Sequence, residues 1–226
     1  MKIFAIALAC VVLAACTVTN GQTAAPGMLT AAEPNSKALL VQPDVQLSLL
    51  TAAGLQEARE DWSRQGQTNL AQAIREELQG RHPVEMLDPA QSMEGRTGQL
   101  LRLHEAVGQS IITYGGVGLP TKKGPFDWTL GDGTKVLRDA KGADYAIFVT
   151  ARGTYASAGR KALMIGAAML GVGIPLGNQM VYVSLVDLRT GRVAWFNTAL
   201  AGPQADMRSA EGAHALAKDL MKGAPI

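Results

Sequence analysis

From residue 37 onward the spacing of apolar and polar positions changes several times, and each change marks an element. Ala38 to Val41, then Val45, Leu47 and Leu49 alternating with Gln46 and Ser48, predict an extended strand with one buried face, bent at Pro43. Leu55, Ala58, Trp62, Leu70, Ala73, Ile74 and Leu78 recur at three- and four-residue spacing, which predicts an amphipathic helix. Glu57, Arg59, Glu60, Arg64, Arg75 and Glu76 fall on its solvent side, and Trp62 falls on the apolar stripe. Gly80 ends this helix, and Pro83 to Leu87 can form a short strand. A second helix carries Leu100, Leu103, Val107, Ile111 and Tyr114 on one stripe, and Gly115, Gly116, Gly118 and Pro120 stop it. Asp132 to Lys141 predicts a short helix that buries Val136, Leu137 and Ala140 and closes at Gly142. Tyr145 to Thr150 is almost continuously apolar and rich in β-formers, as a central strand should be. Met180 to Leu188 and Val193 to Ala199 flank a Gly191 turn and predict a hairpin. Ala210, Ala213, Leu216, Ala217, Leu220 and Met221 give a closing helix. The expected class is mixed α/β: one domain over 37–226, with a mixed sheet of about five strands packed by about four helices.

The amino terminus has a different pattern. Lys2 precedes an apolar run from Ile3 through Leu13, the layout of a secretory signal over residues 1–15, and the run is shorter than the roughly 20 residues a spanning helix needs. Leu13, Ala14, Ala15 and Cys16 resemble the lipobox of bacterial lipoproteins. The resemblance implies cleavage before Cys16, a lipid on its thiol and an acyl chain on the new amine. Each buried methylene contributes about 0.8 kcal/mol, so several chains make a firm anchor. The competing reading is an ordinary secretory cut that leaves Cys16 as a free thiol. Cys10 is a poor rival, since the apolar run continues past it. Thr17, where a retention signal would place Asp, implies the outer membrane, with the domain facing the periplasm. Residues 16–36, rich in Thr, Ala, Gly and Pro, read as a lipidated flexible tether.

Composition narrows the function. With Cys10 removed and Cys16 modified, the mature domain has no cysteine left for a disulfide, a thiolate metal site or a nucleophile. A net charge of +2, from 21 basic and 19 acidic residues, gives no electrostatic reason to expect nucleic acid. Aromatic residues, at 5%, do not advertise stacking platforms.

Gly142, Ala143, Asp144 and Tyr145, leading into the strand to Thr150, carry a family resemblance, as do Val186, Asp187, Leu188, Thr190, Gly191 and Trp195 within Val183 to Trp195. With the element order, they make residues 37–222 similar to the small α/β domain of the curli-secretion lipoproteins and of the amino-terminal part of the Tol propeller protein. The resemblance implies action by contact, as oligomers or accessory factors for secretion, export or wall synthesis, with no catalytic site and no cofactor.

Chemistry-bearing residues are scattered. His104 sits beside Glu105 on a helix with no second histidine four residues on, so it reads as a partly exposed helix residue; His82 and His214 have no local partners. Ser157 lacks the first glycine of a nucleophile elbow and reads as a loop serine. Lys122 and Lys123 follow glycines at the wrong spacing for a phosphate loop. No catalytic or metal-ligating set is assigned, and the enzymatic alternative, acting on wall or polysaccharide, would need Asp127, His104 and Asp187 to converge. A small-ligand or peptide module using a cleft beside the sheet edge is a third reading.

The unusual segment is Ala162 to Gly177, uncharged throughout, bounded by Arg160 and Lys161 and interrupted by Pro175. Its leading reading is a buried helix whose small residues, Ala162 and Gly166 or Ala167 and Gly171, let a neighbour approach closely. The second is an interaction surface, formed by Ala162, Gly166, Met169, Leu170, Gly171 and Val172, for self-association or an envelope protein. The third is a membrane-touching element, which family relatives with inserted hairpins suggest. The expected function is an outer-membrane-anchored accessory subunit, contacting the membrane through its lipid and envelope proteins through this segment and the 182–199 hairpin.

Overall fold

The computed structural model describes residues 18–20, 36–87, 94–115, 119, 126–202 and 205–226. The signal residues, the lipobox residues Leu13, Ala14, Ala15 and Cys16, most of the 16–36 tether, and Lys122 and Lys123 lie outside them.

The spine of the domain is β6 (Tyr145–Ala156), whose first seven residues are all buried. Its alternate side chains serve two different cores, which is why this stretch reads as continuously apolar rather than alternating. Along one side of β6 run β2 (Ala38–Leu40) and then β3 (Asp44–Leu50), both parallel to it, with Ala38 beside Tyr145 and Asp44 beside Thr150. The predicted bent strand is therefore two strands, parted at Pro43, which has no N–H for the ladder. Along the other side run β7 (Gln179–Asp187) and β8 (Val193–Ala201), antiparallel in the predicted hairpin. The turn needs Gly191 at φ +71°, where a Cβ would lie 2.1 Å from the Gly131 carbonyl oxygen. Outermost are β5 (Val84–Met86), parallel to β2, and β1 (Val18–Asn20), antiparallel to β8. The tether thus contributes an edge strand.

Two helical layers cover this mixed sheet. On one face α1 (Glu60–Leu78) and α5 (Ala210–Leu220) bury Leu70, Ile74, Leu78, Leu216 and Leu220 against Leu40, Leu47, Ile147, Val183 and Trp195. On the other, α2 (Gly95–Tyr114) and α3 (Lys135–Lys141) bury Leu100, Leu101, Ile111 and Leu137 against Leu39, Phe148, Tyr182 and Phe196. The class is mixed α/β in one domain, as the periodicities predict. The sheet holds eight strands among the described residues, and a further helix, α4 (Ala158–Ala168), joins β6 to β7.

Three expectations require correction. The first long helix begins at Glu60, because Leu55 is exposed and Gln56–Ala58 forms β4, paired antiparallel to β3 through the turn at Gly54. The inner face of α2 is Leu100, Leu101, His104, Gly108 and Ile111, whereas Leu103 and Tyr114 are exposed. In α3 Leu137 is buried, but Ala140 points to solvent.

Candidate functional site

The region that stands out is where β6 outruns the central sheet. Gly153 lets the Leu47 side chain cross the strand, since a Cβ there would meet Leu47 Cδ2 at 2.9 Å. Ala156 N–H then donates to the Leu176 carbonyl at 3.0 Å and Ser157 N–H to the Leu50 carbonyl at 2.9 Å, which fixes the base of a protruding loop. Ser157 is the N-cap of α4: its hydroxyl accepts from the Arg160 N–H at 3.1 Å. The predicted loop serine is therefore a capping residue. Arg160 ties the two ends of the loop together, its Nε donating to the Pro175 carbonyl at 2.7 Å and its Nη1 to that of Thr51 at 3.4 Å. The return into β7 passes Gly177 at φ +105°, where a Cβ would lie 2.1 Å from the Thr154 carbonyl oxygen.

Beyond this base the chain is uncovered. No residue of α4 is buried, and Leu163, Ile165, Val172 and Leu176 are exposed. Met169 and Leu170 are each 83% exposed, which makes the tip of the loop its most apolar and wettest part. Ala162 is exposed, and a Cβ at Gly166, Gly171 or Gly173 would meet nothing within 4 Å. The buried-helix reading of this segment is thus overturned within the single chain: the small residues leave room, and no element of the domain fills it. The 182–199 hairpin moves the other way. β7 lies between β6 and β8, and its residues are almost all buried, so its side chains serve the core and not a contact surface.

Under the base of α4 is a cleft of about 470 Å³ lined by Trp62, Tyr155, Lys161, Asn178, Gln179 and Arg208, among others. Trp62 is half-buried here, its edge toward Tyr155 with ring centres 5.8 Å apart. The Arg208 guanidinium lies 3.5 Å from the Tyr155 ring centre and 4.5 Å from that of Trp62, while Arg59 lies 4.2 Å from the latter. Burial pushes the Asp206 carboxyl up, but hydrogen bonds from Arg208, the shortest 2.6 Å, outweigh it and hold Asp206 below its ordinary range. Burial, reinforced by Asp206, pushes the Tyr155 phenol well above its ordinary value. That hydroxyl donates to Gln179 Oε1 at 2.5 Å. The groups are arranged to hold one another, and a phenol that stays protonated does not abstract protons.

The other chemistry-bearing residues are dispersed. His104, expected to be partly exposed, is 1% exposed and stacks on Phe148 at 5.1 Å, with Nε2 2.8 Å from Ser184 Oγ and Nδ1 3.4 Å from Thr150 Oγ1. Burial pushes its imidazole down to about 3, so it is neutral at ordinary pH. Asp127 pairs with Arg192 at 2.8 Å and Asp187 with Arg189 at 3.2 Å. Asp127 and Asp187 both lie at the β7–β8 turn, where the Asp187 N–H donates to the Arg192 carbonyl at 3.0 Å, whereas His104 is held by Ser184 and Thr150 in the core and does not join them. His82 meets Ser36 Oγ at 3.3 Å, and His214 meets Glu76 at 3.2 Å. Among the described residues no cluster of three His, Cys, Asp or Glu side chains could hold a metal ion.

Ser157→Ala should cost α4 about 1 kcal/mol of local stability, seen as faster amide exchange over residues 160–168, with the exchange of β6 and β7 unchanged.

No family model matches the chain, and no curated protein matches it. Among solved structures, the chain is similar to the PelC dodecamer from Paraburkholderia phytofirmans, at 14% identity over 91% of this chain and 92% of that one, with a TM-score of 0.39. It is also similar to the lipoprotein GNA1162 from Neisseria meningitidis, at 13% identity over 74% and 81% of the two chains, TM-score 0.32. The LpoB C-terminal domain from Salmonella enterica matches at 13% identity over 78% and 86%, TM-score 0.27.

Proposed function

We propose that this chain is a bacterial envelope lipoprotein, tied by lipid on Cys16 to the outer membrane and facing the periplasm, that works as a non-catalytic assembly or accessory subunit of a secretion, export or wall-synthesis machine. The observation that supports it best is the exposed, uncharged segment 162–177 on a domain whose sheet is covered by helices on both faces. A soluble protein rarely leaves so apolar a projection wet unless something covers it. Leu103 and Tyr114 on α2, with half-buried Val107 between them, add a second apolar stripe. Ala162, Gly166, Met169, Leu170, Gly171 and Val172 form the contact element. Among the described residues no helix is long and apolar enough to cross a membrane, so attachment in this reading falls to the lipid.

The test is Cys16→Ser in cells. The variant should remain uncleaved or become soluble, and crosslinked envelope proteins recovered with the native chain should be lost. A processed variant that stays in the membrane fraction overturns the anchor, and a native chain that runs as a strict monomer and crosslinks to no envelope protein overturns the accessory role. The cleft beside Trp62 and Tyr155 favours one second reading, a small-ligand or peptide module. In that case Arg208→Ala would abolish ligand binding, while Met169→Asp would not.

A further inference from the structure

We propose that the cleft at the carboxyl ends of β3 and β6 binds a small carboxylate-bearing ligand through Arg208, Lys161 and Gln179, an assignment that rests on the second reading above and gives the ligand its chemical class.

β3 and β6 run parallel and end together, β3 turning back into β4 and β6 running on into α4. Chains that diverge from neighbouring parallel strands leave a crevice beyond their carboxyl ends, the usual ligand position in an open α/β sheet. Here the crevice opens on the face that carries α1 and α5. The alternation that buries Leu47, Ala151, Val181 and Ala199 on that face carries it outward to Leu49, Tyr155, Gln179 and Ala201. Register sets these in one row, with Leu49 beside Tyr155 and Gln179 between Gly153 and Ala201. Gly153 clears the middle of the row, since a Cβ there would lie 3.2 Å from Gln179 Cγ. The cleft volume of about 470 Å³ falls within the range of about 300–1,000 Å³ that small-molecule sites occupy.

Charge selects the ligand. Among the described residues two cations, Lys161 and Arg208, and one carboxylate, Asp206, line the cleft. Asp206 is engaged by Arg208, accepting from its Nε at 2.9 Å and its Nη2 at 2.6 Å, so it is not open to a cationic ligand. Nη1 takes no part in that pair. The Tyr155 and Trp62 rings hold the guanidinium in place, so an incoming carboxylate meets a donor that is already oriented. The rim from Ser157 to Asn178 contains no acidic residue to neutralise Lys161. Lys161 also stands in the first turn of α4, where the helix dipole adds positive potential. Gln179, only 5% exposed, completes the donor set. Its Oε1 accepts from the Tyr155 hydroxyl, which orients the amide. Its Nε2 has no hydrogen-bond partner among the described residues and is a donor that a ligand oxygen can satisfy. Two cationic groups and a neutral donor, with no acid left open, fit a carboxylate.

The full chain, purified in detergent, is titrated calorimetrically at neutral pH with two pairs of probes: acetyl-alanyl-alanine against its amide, and glucuronic acid against glucose. At least one acid should bind about tenfold or more tighter than its neutral twin, and the pair that shows it tells a peptide terminus from a sugar acid. Lys161→Glu reverses an exposed charge at the rim, and it should weaken binding of that acid about tenfold or more with the circular dichroism spectrum unchanged. Arg208→Lys, which keeps the charge but loses the fork, should weaken it as well. Equal binding of an acid and its neutral twin overturns the carboxylate class while leaving the cleft a ligand site. Acid binding that Lys161→Glu does not weaken overturns the placement of the site. If no probe binds the native chain, the ligand reading of the cleft and its class fall together, and the contact element at 162–177 is unaffected.

Discussion

Between pH 7 and pH 5 the domain should lose about 2 kcal/mol of stability through a single buried imidazole. His104 lies under α2 between Phe148 and Tyr182, whose ring centres are 5.1 and 5.5 Å away, and it has no acidic partner to stabilise a charge. Folded, it takes up a proton only near pH 3, because burial disfavours the imidazolium. Unfolded, it protonates near its ordinary 6.5. The unfolded chain therefore binds more protons throughout this window. The contribution is complete above about pH 6.5 and is lost by about 1.4 kcal/mol per pH unit as pH falls toward 3. Urea midpoints at the two pH values measure it. Asp206, held below its ordinary value, starts to matter only lower, where carboxylates themselves protonate. His104→Gln keeps hydrogen-bonding groups near Ser184 and Thr150 but cannot titrate. It should weaken the fold at pH 7 through imperfect packing and abolish most of the difference between pH 7 and pH 5. An unchanged difference in that variant would overturn the role of His104.

The residue behind this prediction is the one that periodicity hid. Leu100, Leu103, Val107, Ile111 and Tyr114 make a conspicuous helical stripe, and a reader of apolar spacing chooses it. The packed stripe is instead Leu100, Leu101, His104, Gly108 and Ile111, because Tyr182 of β7 brings a ring against the helix that only a glycine can accommodate. Histidine and glycine do not score as apolar, so the true face carries little local signal; the faint clue was a glycine in a helix interior at four-residue spacing from a histidine. Leu55 and Ala58 misled for the opposite reason, since their spacing continues that of α1 although the Gly54 turn folds them into a hairpin. The elements legible in the sequence, the first half of β6, the β7–β8 hairpin and α5, are those whose buried face runs on without interruption: nearly every residue in the strands, and the stripe Ala213, Leu216, Ala217 and Leu220 in α5. The 162–177 segment was legible in composition but not in placement. Apolar sequence normally means core, and only the tertiary arrangement shows that α4 lies beyond the end of the sheet with no layer over it.

That difference in placement makes the sharpest packing test, in which one substitution should act with opposite signs on two helices. Alanine gains about 1 kcal/mol over glycine in an exposed helix interior, so propensity favours both Gly108→Ala and Gly166→Ala. At Gly166 a Cβ meets nothing within 4 Å, and the variant should leave the urea midpoint unchanged or raise stability by up to that amount. At Gly108 the same atom would lie 2.3 Å from Tyr182 Cε2 and 2.9 Å from Cδ2 and Cζ. The ring cannot swing aside: it is fully buried, tilted against Phe196 at 5.8 Å, and its hydroxyl donates to the Glu105 carbonyl of the same helix at 3.2 Å. Gly108→Ala must therefore move α2 off the sheet or strain the ring, and the overpacking cost of about 1–3 kcal/mol should exceed the propensity gain. Gly108→Val, bulkier and a poorer helix former, should cost about 3 kcal/mol or more. Shifts of equal sign for the two alanine variants would mean that α2 does not sit on Tyr182 as described. A large loss at Gly166 would mean instead that α4 packs tightly against something in the isolated chain. That result would remove the exposed apolar face on which the proposed contact element depends.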